Sequence, residues 1–178
     1  MSESTEEHKA KAPTRLNFAI ITISTSRFER LQTNEKMRDP SGELISTALK
    51  NAGHSIVYRE ILSDNTEHIQ NCLRRIQTDH SIDVLITCGG TGITPTDVTI
   101  EATEPFLDKI LPGFGELFRL ISYNKIGSPA IMTRAIAGIM ATKIVFCLPG
   151  SPHAVETALT ELIIPEIGHI VTHVLGKS

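Results

Sequence analysis

Branched apolar residues run almost without interruption from Leu16 to Ile23, from Ile82 to Cys88 and from Lys143 to Leu148. Short runs of this kind, without strict alternation, belong to strands buried on both faces. His54 to Leu62 reads as a further strand, and Thr133 to Ile139 as another. Between the runs the apolar spacing changes to that of helices. Leu44, Ile45, Ala48, Leu49 and Ala52 follow Asp39-Pro40, an N-cap with a first-turn proline, and Gly53 closes the helix. Ile69, Cys72, Leu73 and Ile76 form an i, i+3, i+4, i+7 stripe behind Asp64-Asn65-Thr66-Glu67, which has the shape of a capping box.

Residues 98–109 and 113–125 read as helices broken at Pro112-Gly113, and the last helical region, after Pro149-Gly150-Ser151-Pro152, is broken at Pro165. Phe28 to Arg38 is polar, carries five charged residues and reads as a mobile loop. Residues 1–14 read as a disordered N-terminal tail, with residues 15–178 as one domain. Strands alternating with helices predict an α/β fold of three layers, α/β/α, with a mostly parallel sheet. The last two strands are too close for a helical crossover, so one strand runs antiparallel.

Composition narrows the function. A net charge of −3 and 4% aromatic residues over 178 residues argue against a nucleic-acid face. The three cysteines, Cys72, Cys88 and Cys147, show no CxxC spacing and suit a reducing compartment, and no apolar run has the length of a membrane span. The expectation is a cytoplasmic protein that binds neither nucleic acid nor membrane.

The candidate chemistry centres on Gly89-Gly90-Thr91-Gly92, which closes the Ile82–Cys88 run, and on Asp97 beyond it. Glycines let the backbone turn sharply and bring N–H groups to a ligand. Hydroxyls at Thr91, Thr94 and Thr96 and one carboxylate complete a seat for phosphate and a divalent cation, with a helix expected to begin at Pro95 and Asp97. No Gly-Lys-Ser/Thr follows, so this is not a P-loop; Pro95 stands where a dinucleotide fingerprint needs glycine.

Ligands gather at the carboxyl ends of parallel strands. Those ends carry Ser24-Thr25-Ser26-Arg27, Asp64, the glycine turn with Asp97, and Pro149-Gly150-Ser151. Two carboxylates beside glycine turns suit magnesium and substrate phosphates, which predicts chemistry by positioning and charge neutralisation. Asp64 and Ser151 are also good helix caps. Arg27, Arg119 and Arg134 read first as surface or ion-pair residues. His169 and His173 have a spacing that can hold zinc but lack a third ligand, and read as solvated or interface histidines.

Several ordered segments then coincide. Gly89-Gly90-Thr91-Gly92 with Asp97, Leu111-Pro112-Gly113-Phe114-Gly115-Glu116-Leu117-Phe118-Arg119, Thr133-Arg134-Ala135 and Leu148-Pro149-Gly150-Ser151-Pro152 together resemble the MoaB/MogA family of molybdenum-cofactor biosynthesis. Ser122-Tyr123, Ile126-Gly127 and Glu161-Leu162-Ile163-Ile164-Pro165-Glu166 make the MoaB branch the closer match. The resemblance implies magnesium-dependent adenylylation of molybdopterin by ATP, giving adenylylated molybdopterin and pyrophosphate. It implies Asp64 and Asp97 as the two essential acids and magnesium ligands. Gly89, Gly90, Thr91, Gly92 and Thr94 are then the ATP-phosphate residues. Ser24, Thr25, Ser26, Thr133, Arg134, Pro149, Gly150 and Ser151 fall to molybdopterin. The first loop departs from the family's pattern, having no Asp after Ser24. The alternative is a non-catalytic molybdopterin-binding partner in the same pathway. Implied partners are a second copy of the chain, as trimer or hexamer, and the downstream metal-insertion protein. The apolar C-terminal residues Leu159, Leu162, Ile163, Ile164, Ile167, Ile170, Val171 and Val174 point to that oligomer independently, as surface beyond what one domain buries.

Overall fold

The computed structural model describes residues 15–33 and 38–176. In chain order its elements are β1 (Asn17–Ile23), α1 (Thr25–Gln32), α2 (Pro40–Asn51), β2 (Ser55–Leu62), α3 (Thr66–Thr78), β3 (Val84–Cys88) and α4 (Thr99–Thr103). There follow β4 (Lys109–Ile110), α5 (Pro112–Ile126), β5 (Ile136–Met140), β6 (Lys143–Leu148), α6 (Pro152–Ala158) and α7 (Ile164–Val174). The strands form one six-stranded sheet in the order β2-β1-β3-β6-β5-β4. β1, β2, β3 and β6 are parallel, and β5 runs antiparallel to both β6 and β4.

The strand runs are apolar throughout because helices cover both faces. Phe18, Ile20, Val84, Ile86, Ile144 and Phe146 pack with Ile45 and Leu49 of α2, Phe118 of α5, Val155 of α6 and Ile167 of α7. Their sequence neighbours Ala19, Ile21, Leu85 and Val145 point the other way, toward the α3 stripe and Ile100 of α4. The three-layer architecture with one antiparallel strand is therefore as the pattern predicts. Asp39 caps α2 through Gly42 N at 3.1 Å, and it also accepts from Thr22 Oγ1 at 2.8 Å. Gly53 follows that helix at φ +90°.

Five expectations are corrected. Phe28 to Gln32 belongs to α1 rather than to a loop, although that helix buries none of its residues; residues 34–37 lie outside the described residues, as does the expected tail at 1–14. The helix expected over 98–109 is only five residues long. Pro105 lacks an N–H and its ring opposes a helical carbonyl, so the chain tightens into a 3₁₀ turn at Glu104–Phe106 and then lays down the short edge strand β4. The strand expected from Thr133 begins its ladder at Ile136, after a 3₁₀ turn at Ser128–Met132. Pro165 does not interrupt the final helical region. A π turn at Leu159–Ile163 widens the backbone just before it, and Pro165 sits in the first turn of α7.

The C-terminal residues give the fifth correction. Leu159, Ile163, Ile167 and Val171 are buried, and Leu162, Ile164, Ile170 and Val174 pack half-buried on the same core. The exposed apolar surface lies elsewhere. Leu117, Leu120, Tyr123 and Ile126 make a stripe on α5, continued by Ile131 and Met132.

Candidate functional site

The parallel strands β1, β2, β3 and β6 all end at one edge of the sheet, so their exit loops meet there. At the centre is the glycine turn after β3. Gly89 and Gly90 have φ of +104° and +60°, a region that side chains rarely adopt. Space forbids a side chain as firmly as conformation does. A Cβ on Gly89 would lie 2.2 Å from the carbonyl oxygen of Ile23. One on Gly90 would lie 2.4 Å from Thr99 Oγ1 and 2.7 Å from Asp64 Oδ1, and one on Gly92 2.7 Å from Asp97 Oδ2. The turn is thus flanked by a carboxylate near Gly90 and another near Gly92.

Each acid is fixed by a threonine. Asp64 Oδ2 accepts from the backbone N and the hydroxyl of Thr25, at 2.9 and 2.8 Å. Asp97 Oδ2 accepts from Thr94 N at 2.9 Å and from the Thr94 hydroxyl at 2.5 Å. Those bonds, the hydroxyl first, hold the Asp97 carboxyl below its ordinary value, helped by the nearby Arg134 guanidinium. Neither acid is a helix cap. Asn65 caps α3 by accepting from His68 N at 3.0 Å, and α4 begins at Thr99 behind Val98. The expected helix start at Pro95 and Asp97 is a turn instead. The shift by one residue in the first case leaves Asp64 available to the site.

A second turn closes on the first. A Cβ on Gly150 would come within 3.1 Å of Gly89 Cα, and the Gly150 carbonyl accepts from Ser41 Oγ at 2.7 Å. Ser151 does cap α6, accepting from Ala154 N at 3.3 Å. Because β5 runs antiparallel, the residues leading into it arrive at the carboxyl end of β6. This is how Thr133 and Arg134 reach the glycine turn, with Arg134 Nη1 donating to the Gly92 carbonyl at 3.1 Å and Nη2 to Glu101.

These elements enclose a 380 Å³ cavity. Gly89, Gly90, Thr91, Gly92, Asp97, Thr133, Arg134, Pro149, Gly150 and Ser151 all line it. Asp64, Thr94, Ser24, Thr25 and Ser26 do not. Asp64 stands beside Gly90 with Thr25, and the hydroxyls of Ser24 and Ser26 meet each other at 3.4 Å. Sequence reasoning missed Ser122, Lys125, Met132 and His153 on the wall. Ser122 and Lys125 lie three apart on α5, a spacing that marks a shared face but was masked by the apolar residues around it. Lys125 Nζ donates to Thr157 Oγ1 at 3.0 Å, which places a cation at the cavity. Of the two surface arginines, Arg27 donates to the Arg38 carbonyl at 3.2 Å, and Arg119 approaches Gly115.

The cavity has the composition of an anion site: backbone turns, hydroxyls, Lys125 and Arg134, with Asp97 on the wall and Asp64 outside it beside Gly90. Cys88, just before the turn, is buried, and burial pushes its thiol up to about 11. It stays protonated and is no nucleophile. Among the described residues no helix is long and apolar enough to cross a membrane.

Comparison with known proteins identifies the family. The family model described as a probable molybdopterin binding domain matches residues 19–169. Molybdenum cofactor biosynthesis protein B of Bacillus cereus is 47% identical over 168 residues, covering 94% of this chain and 95% of the relative. A molybdopterin adenylyltransferase of Pyrococcus furiosus is 40% identical over 172 residues, covering 94% and 96%. The crystal structure of a molybdenum cofactor biosynthesis protein B superposes with a TM-score of 0.83 at 43% identity, over 93% of this chain and 99% of that one. The matched family model, these relatives and the shared fold show that the chain belongs to the MoaB/MogA family of molybdenum cofactor biosynthesis proteins.

Proposed function

We propose that this protein binds ATP and molybdopterin at the glycine turn and, with magnesium, transfers the adenylyl group to the terminal phosphate of molybdopterin. The observation that carries the reading is the placement of Asp64 and Asp97 beside Gly90 and Gly92, each with Oδ2 held by a threonine. A module that only bound a phosphorylated pterin would gain nothing from two negative charges beside its phosphate seat. The 40% identical relative named as an adenylyltransferase supports the same reading.

The donor set fits magnesium, which takes one or two carboxylates and completes its shell with phosphate oxygens and water. Asp64 and Asp97 would hold it, and when bound it neutralises the phosphates and the leaving group. The chain's own residues then position the reactants. The backbone of Gly89 to Gly92, with Thr91, seats the phosphates of ATP, and Thr94, outside the cavity, serves by fixing Asp97. Thr133, Arg134 and the Pro149-Gly150-Ser151 turn face molybdopterin, with Lys125 beside its phosphate. Ser24, Thr25 and Ser26 serve from outside the cavity, Thr25 by fixing Asp64. An oxygen of the molybdopterin phosphate attacks the α-phosphorus of ATP, the bond from that phosphorus to the bridging oxygen breaks, and pyrophosphate leaves with the electron pair.

The test is direct: purified protein, molybdopterin, ATP and magnesium yield adenylylated molybdopterin and pyrophosphate. Binding of both ligands without product would leave the non-catalytic reading in its place. Calorimetry sharpens the metal assignment, because ATP affinity falls steeply in chelator while molybdopterin affinity barely changes. Equal ATP affinity in chelator removes the two-acid metal site. The reading extends to self-association as a trimer or a pair of trimers, with the exposed α5 stripe as the contact, and to hand-over of product to the downstream metal-insertion protein. Light scattering at micromolar concentration gives a multiple of three chains, and Leu120→Glu lowers the mass; a monomeric parent removes this part. Free, buried thiols at Cys72, Cys88 and Cys147 fit a cytoplasmic setting.

A further inference from the structure

The glycine turn Gly89-Gly90-Thr91-Gly92 presents a backbone N–H at each position, and its two outer ones are committed within the chain. Gly89 N donates to the Leu148 carbonyl at 3.0 Å, and Gly92 N donates to the Asp97 carboxylate. Among the described residues no carbonyl or side chain accepts from Gly90 N or Thr91 N. Thr91 is only 4% exposed, and a buried N–H without an acceptor is rare in a folded chain. The two donors follow one another where the turn lines the first cavity.

Their direction is set by the carbonyls that precede them. The peptide bonds are trans, so each N–H points opposite to the carbonyl of its own peptide unit. Gly90 N shares a unit with the Gly89 carbonyl, and Thr91 N shares one with the Gly90 carbonyl. Both carbonyls go to one residue. Thr99 Oγ1 donates to the Gly89 carbonyl at 2.8 Å, and Thr99 N donates to the Gly90 carbonyl at 2.9 Å. The positive φ of Gly89 and Gly90 is what lets two successive units turn toward the same residue. Both N–H groups therefore face away from Thr99. Thr99 is wholly buried and does not line the cavity, whereas Gly89 to Gly92 do, so the side away from it is the cavity side. Thr99 is itself anchored, its carbonyl accepting from Thr103 Oγ1 at 2.7 Å.

We infer that Thr99 is a positioning residue for the nucleotide: it touches no ligand, and by holding two carbonyls it aims the N–H groups of Gly90 and Thr91 at a phosphate of ATP. Successive N–H groups of a turn make a concavity suited to an anion. The inference rests on the proposed binding of ATP at this turn and narrows its backbone donors to Gly90 and Thr91.

Thr99→Val keeps the shape of the side chain and removes the hydroxyl, so the Gly89 carbonyl loses its donor while the backbone bond to Gly90 remains. In calorimetric titration of the full-length chain with ATP and magnesium alone, this variant binds about tenfold more weakly, the scale of one lost hydrogen bond. In turnover the KM for ATP rises by a similar factor, while the KM for molybdopterin is unchanged. Thr99→Ser, which restores the hydroxyl, returns both readings close to the parent. Thr172→Val removes a buried hydroxyl from α7 and leaves both where they were. Inorganic tripolyphosphate moves the amide signals of Gly90 and Thr91 downfield in nuclear magnetic resonance of the parent and much less in Thr99→Val, a readout that needs no turnover. If Thr99→Val does not fold, Thr99→Cys, whose thiol is a weaker donor, gives an intermediate loss. A folded Thr99→Val variant with parental ATP affinity overturns the inference and leaves the adenylyl-transfer reading standing. ATP binding that depends on Thr99 in a parent that forms no adenylylated product supports the inference and removes that reading. A parent that binds neither ATP nor tripolyphosphate, or binds them without moving either amide, overturns the assigned donors.

Discussion

The two ends of the sheet use the same residue types in opposite ways. At the amino end Lys143, 2% exposed, donates to the carbonyls of Asp79 and Ile82 at 2.7 and 2.9 Å. Asp83 accepts from Asn17 N at 2.8 Å, and Asp79 accepts from the backbone and hydroxyl of Ser81 at 2.9 and 2.6 Å. Cation and carboxylates there close loops onto strands. At the carboxyl end Asp64 and Asp97 each commit one oxygen to a threonine, and two glycine turns in close contact leave a cavity between the loops. One end has its polar groups satisfied by the fold, and the other carries the cavity that the proposed function assigns to ligands. The difference separates residues whose loss unfolds the protein from residues whose loss stops it working.

The sharpest way to break that comparison is Asp97→Asn. It keeps the size of the side chain and removes the charge, so turnover falls at least ~100-fold, the scale of losing one strong electrostatic contact in a transition state. Circular dichroism stays that of the parent, and the urea midpoint at neutral pH falls only slightly. A folded variant with normal turnover would place Asp97 among the purely structural acids. Gly90→Ala comes next, and strikes both properties. Its Cβ collides with Thr99 Oγ1 and Asp64 Oδ1 at a positive φ, so activity falls and stability drops by about 1–3 kcal/mol, read from urea unfolding.

Lys143→Met tests the opposite end. It leaves the buried Ile82 carbonyl without its donor, at about 1–3 kcal/mol, while the Asp79 carbonyl keeps its bond from Ile82 N and kcat measured on the folded fraction is unchanged. A loss of turnover without a loss of stability would erase the distinction between the two ends. The smallest effect is in acid. The Asp97 carboxyl is held below its ordinary value by the Thr94 hydroxyl, so its contribution to stability is complete above the unfolded value, ~3.9, and is lost as pH falls through the lower folded value. The urea midpoints of the parent and Asp97→Asn therefore differ by a constant amount above about pH 5 and converge below it. A gap that widens in acid reverses the sign and refutes the threonine-held carboxylate.

What the sequence alone determined is what depends on local pattern. Uninterrupted apolar runs specify strands covered on both faces, which is why β1, β3 and β6 and the layer order were legible. The glycine turn after β3 was legible because Gly89 and Gly90 answer a local steric demand, and Asp97 lies seven residues from Gly90. The tertiary structure decided whatever depends on distant partners. Helix α1 has no buried residue to announce it, and its first residue is bonded to Asp64, 39 positions away. Strand β4 is two exposed residues that exist only because β5 offers an edge. Asp64 reads as a cap until Asn65 takes that role and Thr25 takes the acid. Thr133 and Arg134 enter the site because an antiparallel strand reverses which of its ends meets the cavity edge, and Lys125 joins them from helix α5, which the sequence reading placed but gave no part in the site. The surplus of apolar residues after Leu159 disappears into the core, while the exposed stripe lies on α5. Periodicity reports how much apolar surface an element carries; which neighbour covers it is a property of the folded chain alone.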